Sequence, residues 1–154
     1  MSHEPLRRAL TRVVPEIAGG WVQIKAIAGQ PGGHCKVALH STDPDTDPVG
    51  ACIGLRGSRI MEVLKAVGGR LDLVAWHPNP LQFVVNALRP CEAGSLVPDE
   101  VVELYDVVYW FDGAQAPTDF EVQADQHIRL AAELTGTSLV SHGPITARPA
   151  GRFE

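Results

Sequence analysis

Long apolar runs are missing from this sequence: no stretch approaches the roughly 18 residues that a membrane-spanning helix needs. The opening residues, Met1 to Arg8, also lack the apolar core of a secretory signal. These two absences place the protein in the cytoplasm as an expectation. Cysteine is scarce. Cys35, Cys52 and Cys91 form an odd set without a C-x-x-C pair, so buried, reduced thiols are expected rather than a disulfide framework or a zinc site. His3, His34, His40, His77, His127 and His142 are scattered. No Ser–His–Asp or Cys–His arrangement follows from their spacing, and neither an enzyme nor a cofactor nor a metal centre is expected. Asp43, Asp45 and Asp47 alternate like a calcium loop, but Pro48 stands where such a loop needs glycine and Gly54 where it needs glutamate.

What the sequence does have is enough apolar residue, 45%, to build a packed core. Its net charge of −5 is unevenly spread. Residues 1–14 carry three Arg against one Glu, and residues 15–90 carry seven basic against six acidic side chains. Residues 91–154 carry three basic against eleven acidic, a net of −8. A polyanion is therefore expected to meet the first half and to be repelled by the second.

Leu6, Leu10, Val13, Val14 and Ile17 fit one face of a helix that Pro15 interrupts, with Arg7, Arg8 and Arg12 on the other face. Val22–Ala26 and Cys35–His40 alternate at period two around the turn-forming Gly29-Gln30-Pro31-Gly32-Gly33, which predicts a hairpin. Lys25 and Lys36 fall on the parity opposite the apolar side chains, so the non-core face of this hairpin is expected to be positive. Asp47-Pro48 reads as a helix cap followed by proline at the first helical position. A short helix over 49–53, the turn Gly54-Leu55-Arg56-Gly57 and an amphipathic helix with Ile60, Met61, Val63, Leu64 and Val67 follow. A strand over 71–76 and a helix over 80–88 close the first half. Beyond it the pattern predicts strands near 95–97, 105–111 and 137–141. It also predicts helices over 114–124 and 126–134, and a flexible tail over 143–154. Trp21, Trp76 and Trp110 lie in or beside strands, suited to core packing or to stacking on a base.

The G-x-x-G turn carries the chemistry. Its glycines remove side chains that would hold a phosphate away from the backbone. The helix after it presents unpaired N–H groups and a positive dipole end to the same anion. Arg56 and Arg59 add charge, and Ser58 can cap the helix or bond a phosphate oxygen. The alternative is a tight helix–helix turn and nothing more.

The stretch from Asp47 to Arg59, with Val14–Ile17, Val22–Ile27 and Gly69–Val74, resembles the first KH domain of the bacterial NusA family, factors of transcription elongation, termination and antitermination. Pro80–Leu88 is similar to that family's helix between its two KH domains. The resemblance covers residues 3–91 and implies an α+β fold of tandem type II KH domains, each a three-stranded sheet covered by helices. It implies a lead-in helix over 1–14, a first KH domain over 15–91 and a degenerate second one over 92–142. Single-stranded RNA is the implied ligand, and Gly54, Leu55, Arg56 and Gly57 map onto the family's phosphate-contacting loop; Ser58, Arg59, Lys25 and Lys36 join the expected RNA-binding set by their charge and position. RNA polymerase or other transcription factors are implied as further partners. In the second domain the loop position falls on Val122-Gln123-Ala124-Asp125, with both glycines gone and an acid in place of a cation. The 154 residues hold neither the polymerase-binding domain nor the OB-fold domain that precede this region in bacterial members. A protein-interaction module on a KH-like scaffold that has lost RNA binding is the competing expectation.

Overall fold

The computed structural model describes residues 2–30, 32–89, 96–99, 104–110 and 120–145, and the chain divides into two units, Met1–Pro78 and Asn79–Glu154. Among those residues no helix is long and apolar enough to cross a membrane.

In the first unit, helix α1 (Glu4–Val13) starts with a proline in its first turn and buries Leu6, Ala9 and Leu10, the i, i+3, i+4 stripe of an amphipathic helix. It stops at Val14, whose backbone is extended at φ −106, ψ 103, as the residue before a proline prefers. Pro15 then opens the single-turn helix α2 (Pro15–Ala18). Strands β1 (Val22–Gly29) and β2 (His34–Ser41) pair antiparallel, and the register slips between Ile24 and Ala26, leaving Lys25 bulged out of the ladder.

After β2 the chain crosses over through α3 (Pro48–Ile53), a 3-10 turn (Leu55–Gly57) and α4 (Ser58–Val67) to β3 (Arg70–Ala75), which pairs parallel to β2. A parallel pair requires such a long crossover, and this one carries the Gly54–Gly57 turn at its middle. Leu6, Leu10, Val14, Val22, Val37, Leu39, Cys52, Val63 and Leu71 make one core between the helices and the sheet. Each fully buried Leu or Val there contributes about 1.5–3 kcal/mol; truncating Leu10 to alanine removes about 2–5 kcal/mol.

The opposite face of the sheet is buried too: Ala28, Lys36 and Ala38 are fully inaccessible and Val74 nearly so. Both faces of β2 are therefore covered, and its alternation marks two packed surfaces instead of one wet and one dry.

In the second unit, β4 (Leu96–Asp99) pairs antiparallel with β5 (Leu104–Trp110), which pairs parallel with β6 (Ser138–Ile145). Helix α5 (Pro80–Leu88), capped by Asn79 Oδ1 on Leu81 N at 3.0 Å, packs on α6 (Phe120–Thr135). α6 buries Ile128, Leu130, Ala131 and Leu134 and ends at Gly136, whose φ of +70 closes the helix. Two separate helices over 114–124 and 126–134 are not what forms: 120–135 is continuous, and 114–119 lie outside the described residues. Val122 to Asp125 are thus helix rather than loop, because nothing in those four side chains breaks an α-helix. β6 runs on to Ile145, and residues 146–154 lie outside the described residues.

Candidate nucleic-acid interface

The turn is built from its two flanking helices. Asp47 Oδ1 accepts the Val49 N–H at 3.1 Å and Pro48 supplies the first helical position, which starts α3. Cys52 is fully buried and anchors α3 in the core. α3 ends as Gly54 adopts φ 74, ψ 176 while its N–H donates to Gly50 O at 3.0 Å. A Cβ at Gly54 would come within 2.7 Å of Arg59 Cγ and 2.9 Å of Arg59 Cβ, so no side chain fits there. The Gly57 N–H closes the turn onto Gly54 O at 3.1 Å.

Between the glycines, Arg56 sits in the left-handed region at φ 55, ψ 29, and no other non-glycine described here has a positive φ. Holding a side-chain-bearing residue there costs about 1–2 kcal/mol. Such strain recurs where a side chain must point at a ligand. Arg56 is exposed, and no ion pair holds it among the described residues. The N-cap of α4 is Gly57, with no side chain bonded to the first turn; the Ser58 N–H donates to Leu55 O, which leaves the N–H groups after Ser58 and the positive dipole end for an anion. Ser58 is the first residue of the helix and does not cap it, contrary to one of its two expected roles; its exposed hydroxyl is left to meet a ligand.

Three large apolar side chains on the turn and its two flanking helices are exposed. Leu55 at the tip is 84% exposed, Met61 56% and Ile53 38%. Met61 was expected in the buried stripe of α4; instead Val63 is the fully buried residue there. An exposed apolar surface beside a phosphate site is where the face of a base can rest.

Arg59 is differently employed from what its position in the sequence suggests. Its Nη1 donates to Glu16 Oε2 at 2.8 Å and to Ala51 O at 2.7 Å. It ties α2 to the end of α3, and its stem fills the space that Gly54 leaves. Glu16, 43 positions away in sequence, has no local signal that would have identified it as the partner. The pair also reaches Cys52, whose thiol is pushed up to about 12, first by burial and then by the Glu16 charge, against a lowering by Arg59.

Of the two lysines expected beside the turn, Lys25 is exposed, its Nζ 4.8 Å from the centre of the Trp76 ring. Lys36 is not on an open face: its side chain is fully buried and Nζ lies 3.3 Å from Asp72 Oδ2. The same carboxylate oxygen accepts from His34 Nε2 at 2.6 Å, and Arg70 Nε stands 3.6 Å from Oδ1. Burial by itself would raise the Asp72 carboxyl, but the His34 hydrogen bond and the charges of Lys36, His34 and Arg70 outweigh it and hold that carboxyl below its ordinary range. Lys36 is therefore a structural cation of the β2–β3 pair. Trp76 packs edge-on against His40 with ring centres 5.0 Å apart, whereas Trp21 is 40% exposed and outside the core; the Trp110 side chain lies outside the described residues. Cys35 and Cys52 are buried thiols in no disulfide, and the Cys35 thiol donates to Gln30 O at 3.1 Å; Cys91 lies outside the described residues.

Residues 1–76 match the family described as the NusA-like first KH domain. The transcription termination/antitermination protein NusA of Thermus thermophilus is 40% identical over 137 residues, 88% of this chain and 35% of the relative. The Bacillus subtilis protein of the same name is 32% identical, over 96% of this chain and 39% of its own length. That of Halalkalibacterium halodurans is 31% identical, over 97% and 38%. The chain thus spans 35–39% of the length of these curated relatives. The crystal structure of APE1850 superposes with a TM-score of 0.58 at 18% identity, covering 92% of this chain and all of that one, which supports a KH-type α+β fold.

Proposed function

Residues 1–76 belong to the NusA-like first KH domains, and from that premise we propose that this chain is a non-enzymatic regulator that grips single-stranded RNA through Gly54–Gly57. The observation that carries the reading is Arg56, exposed and held left-handed between two glycines, at the uncapped start of α4. A backbone phosphate docks on the α4 N–H groups and the Arg56 guanidinium. The adjoining bases lie over Leu55, Ile53 and Met61, where stacking holds them and their edges can be read. Arg59 acts on this site by keeping the turn in shape, and Lys36 takes no part in it. Residues 15–91 carry the grip in this reading, and 92–142 a KH-like scaffold without one.

The process served is control of transcription elongation, termination or antitermination in the cytoplasm, supported by the names of the relatives. Nascent RNA is the primary partner, with RNA polymerase or other transcription factors second. One such groove holds about four nucleotides, so binding by the turn alone is weak and falls with salt.

Leu55→Asp with Arg56→Asp puts two negative charges at the tip, where both side chains are exposed and the core is untouched. Titration of a random RNA pool at low salt, followed by fluorescence anisotropy, is expected to show binding by the wild type and none by the double variant. Equal binding by the two proteins sinks the proposal. A second reading, a protein-docking module, draws on the net charge of −8 over residues 91–154. Affinity capture that returns RNA and no protein counts against it.

A further inference from the structure

The exposed face of α1 is not used by the turn. Leu6, Ala9 and Leu10 face the core, which leaves Arg7, Arg8, Thr11 and Arg12 lining a shallow depression on the outside together with Glu4. Glu4 is engaged by Arg8, with Oε1 3.4 Å from Nε, and the Thr11 hydroxyl donates to Arg7 O. Arg7 and Arg12 have no ion-pair partner among the described residues. A chain of net charge −5 thus concentrates three arginines on three turns of one helix.

The direction of α1 relates this face to the turn. α1 packs on α4. Pro5 and Leu6, at its start, line the same small cavity as Val67 and Gly68, at the end of α4. Glu16, just beyond its end, bonds Arg59 at the start of α4. The two helices are therefore antiparallel, and the Arg12 end of α1 is the end nearest the turn. Arg12 stands only four residues before Glu16, whose Arg59 partner lies against Gly54.

We propose that Arg7, Arg8 and Arg12 form a second phosphate-binding strip that takes the RNA strand where it leaves the Gly54–Gly57 turn. This deepens the RNA-binding reading and rests on it. The strip reads no bases: three guanidiniums along one helix, with no aromatic side chain among the residues lining the depression, offer charge and forked donors to successive phosphates. It lengthens the bound segment beyond what the turn holds. α1 spans about 15 Å at 1.5 Å per residue, room for several more phosphates. The salt dependence of binding should then change with RNA length.

The full chain is titrated with two fluorescent random RNA pools, one of about four nucleotides and one of roughly sixteen, over a range of salt concentrations. Arg7→Gln/Arg8→Gln/Arg12→Gln is compared with wild type and with the charge-keeping Arg7→Lys/Arg8→Lys/Arg12→Lys. All three side chains are exposed, and circular dichroism checks that the helices remain. The glutamine variant is expected to bind the short pool like wild type and to lose affinity for the long one. Its slope of log affinity against log salt should flatten by about 2, three phosphates at about 0.7 each, and the lysine variant should restore most of that slope. Equal losses for both pools, or no loss for the long pool, overturn the strip while leaving the turn in place. Failure of the wild type to bind either pool overturns the RNA reading itself, and the strip with it.

Discussion

The sheets of the two units follow one plan: β1-β2-β3 and β4-β5-β6 each join an antiparallel pair to a parallel pair. The helices differ at the two positions that the family resemblance aligns. In the first unit α3 stops at Gly54 and α4 starts again at Ser58, with positive φ at Gly54, Arg56 and Gly57. In the second unit α6 passes through Val122 to Asp125 unbroken. In the proposed reading a phosphate grip is therefore a local matter. Each unit has the same sheet plan, and the helix break coincides with the two glycines of the first unit.

The largest expected effect comes from closing the first unit's turn. Gly54→Ala places a methyl group against Arg59 at a φ of +74, which should cost about 3 kcal/mol from backbone strain and overpacking together, read as a lower urea midpoint with RNA affinity lost alongside. A variant as stable as wild type would show that the turn tolerates what α6 has, and the contrast between the units would fall. The reverse experiment opens the second unit: Val122→Gly, Gln123→Leu, Ala124→Arg and Asp125→Gly. Two glycines in place of Val122 and Asp125, themselves weak helix formers, should weaken α6 by under about 1 kcal/mol, seen as faster amide exchange over 120–135. If the helix stays protected and RNA affinity still rises, the four letters act without the break, and the turn's geometry is not what matters.

A single charge tests the tie behind the turn. Glu16→Gln removes one charge from a half-buried pair and is expected to cost about 1 kcal/mol. It also removes one of the influences that raise Cys52 from 9.0 to about 12. A thiol whose folded value lies above its unfolded one stabilises the fold below pH 9.0, and that stabilisation disappears as pH rises toward about 12. Unfolding of the wild type and Cys52→Ala across that range should therefore converge with rising pH, and in the Glu16→Gln background over a narrower window. The same convergence in both backgrounds would mean that Glu16 does not reach the thiol.

Much of the first unit is legible because its signals are local. Pro15 breaks the first helix, the Gly-rich 29–33 segment makes the hairpin, Asp47-Pro48 starts α3, and Gly54 and Gly57 frame the turn. Each of these acts through its own backbone or its next few neighbours. Lys36 could not be placed from its parity, since period-two alternation assumes one wet face and both faces of β2 are covered. The Glu16–Arg59 tie is a meeting of residues 43 apart, which no window of sequence contains. Met61 misled because it neighbours the stripe of α4, one step of rotation outside it. The continuity of α6 runs against the loop that the resemblance implies at 122–125, because those residues have no reason of their own to leave a helix.

The place of the turn within a crossover also fixes the order in which the grip can come into being. β1 and β2 are neighbours in sequence and close through a short hairpin, a local and therefore early event. β3 reaches β2 only after residues 42–69 have emerged, and closing that longer loop is the slower step. Gly54 to Gly57 lie inside the loop, held from one side by α3 and from the other by α4 and β3. During synthesis from the N-terminus the Gly54–Gly57 turn is thus among the last parts of its unit to take shape, completed when the strand at 70–75 has cleared the ribosome. A ligand at the turn, as the proposed reading has it, would act on that final closure, holding shut a loop whose ends are already zipped into the sheet.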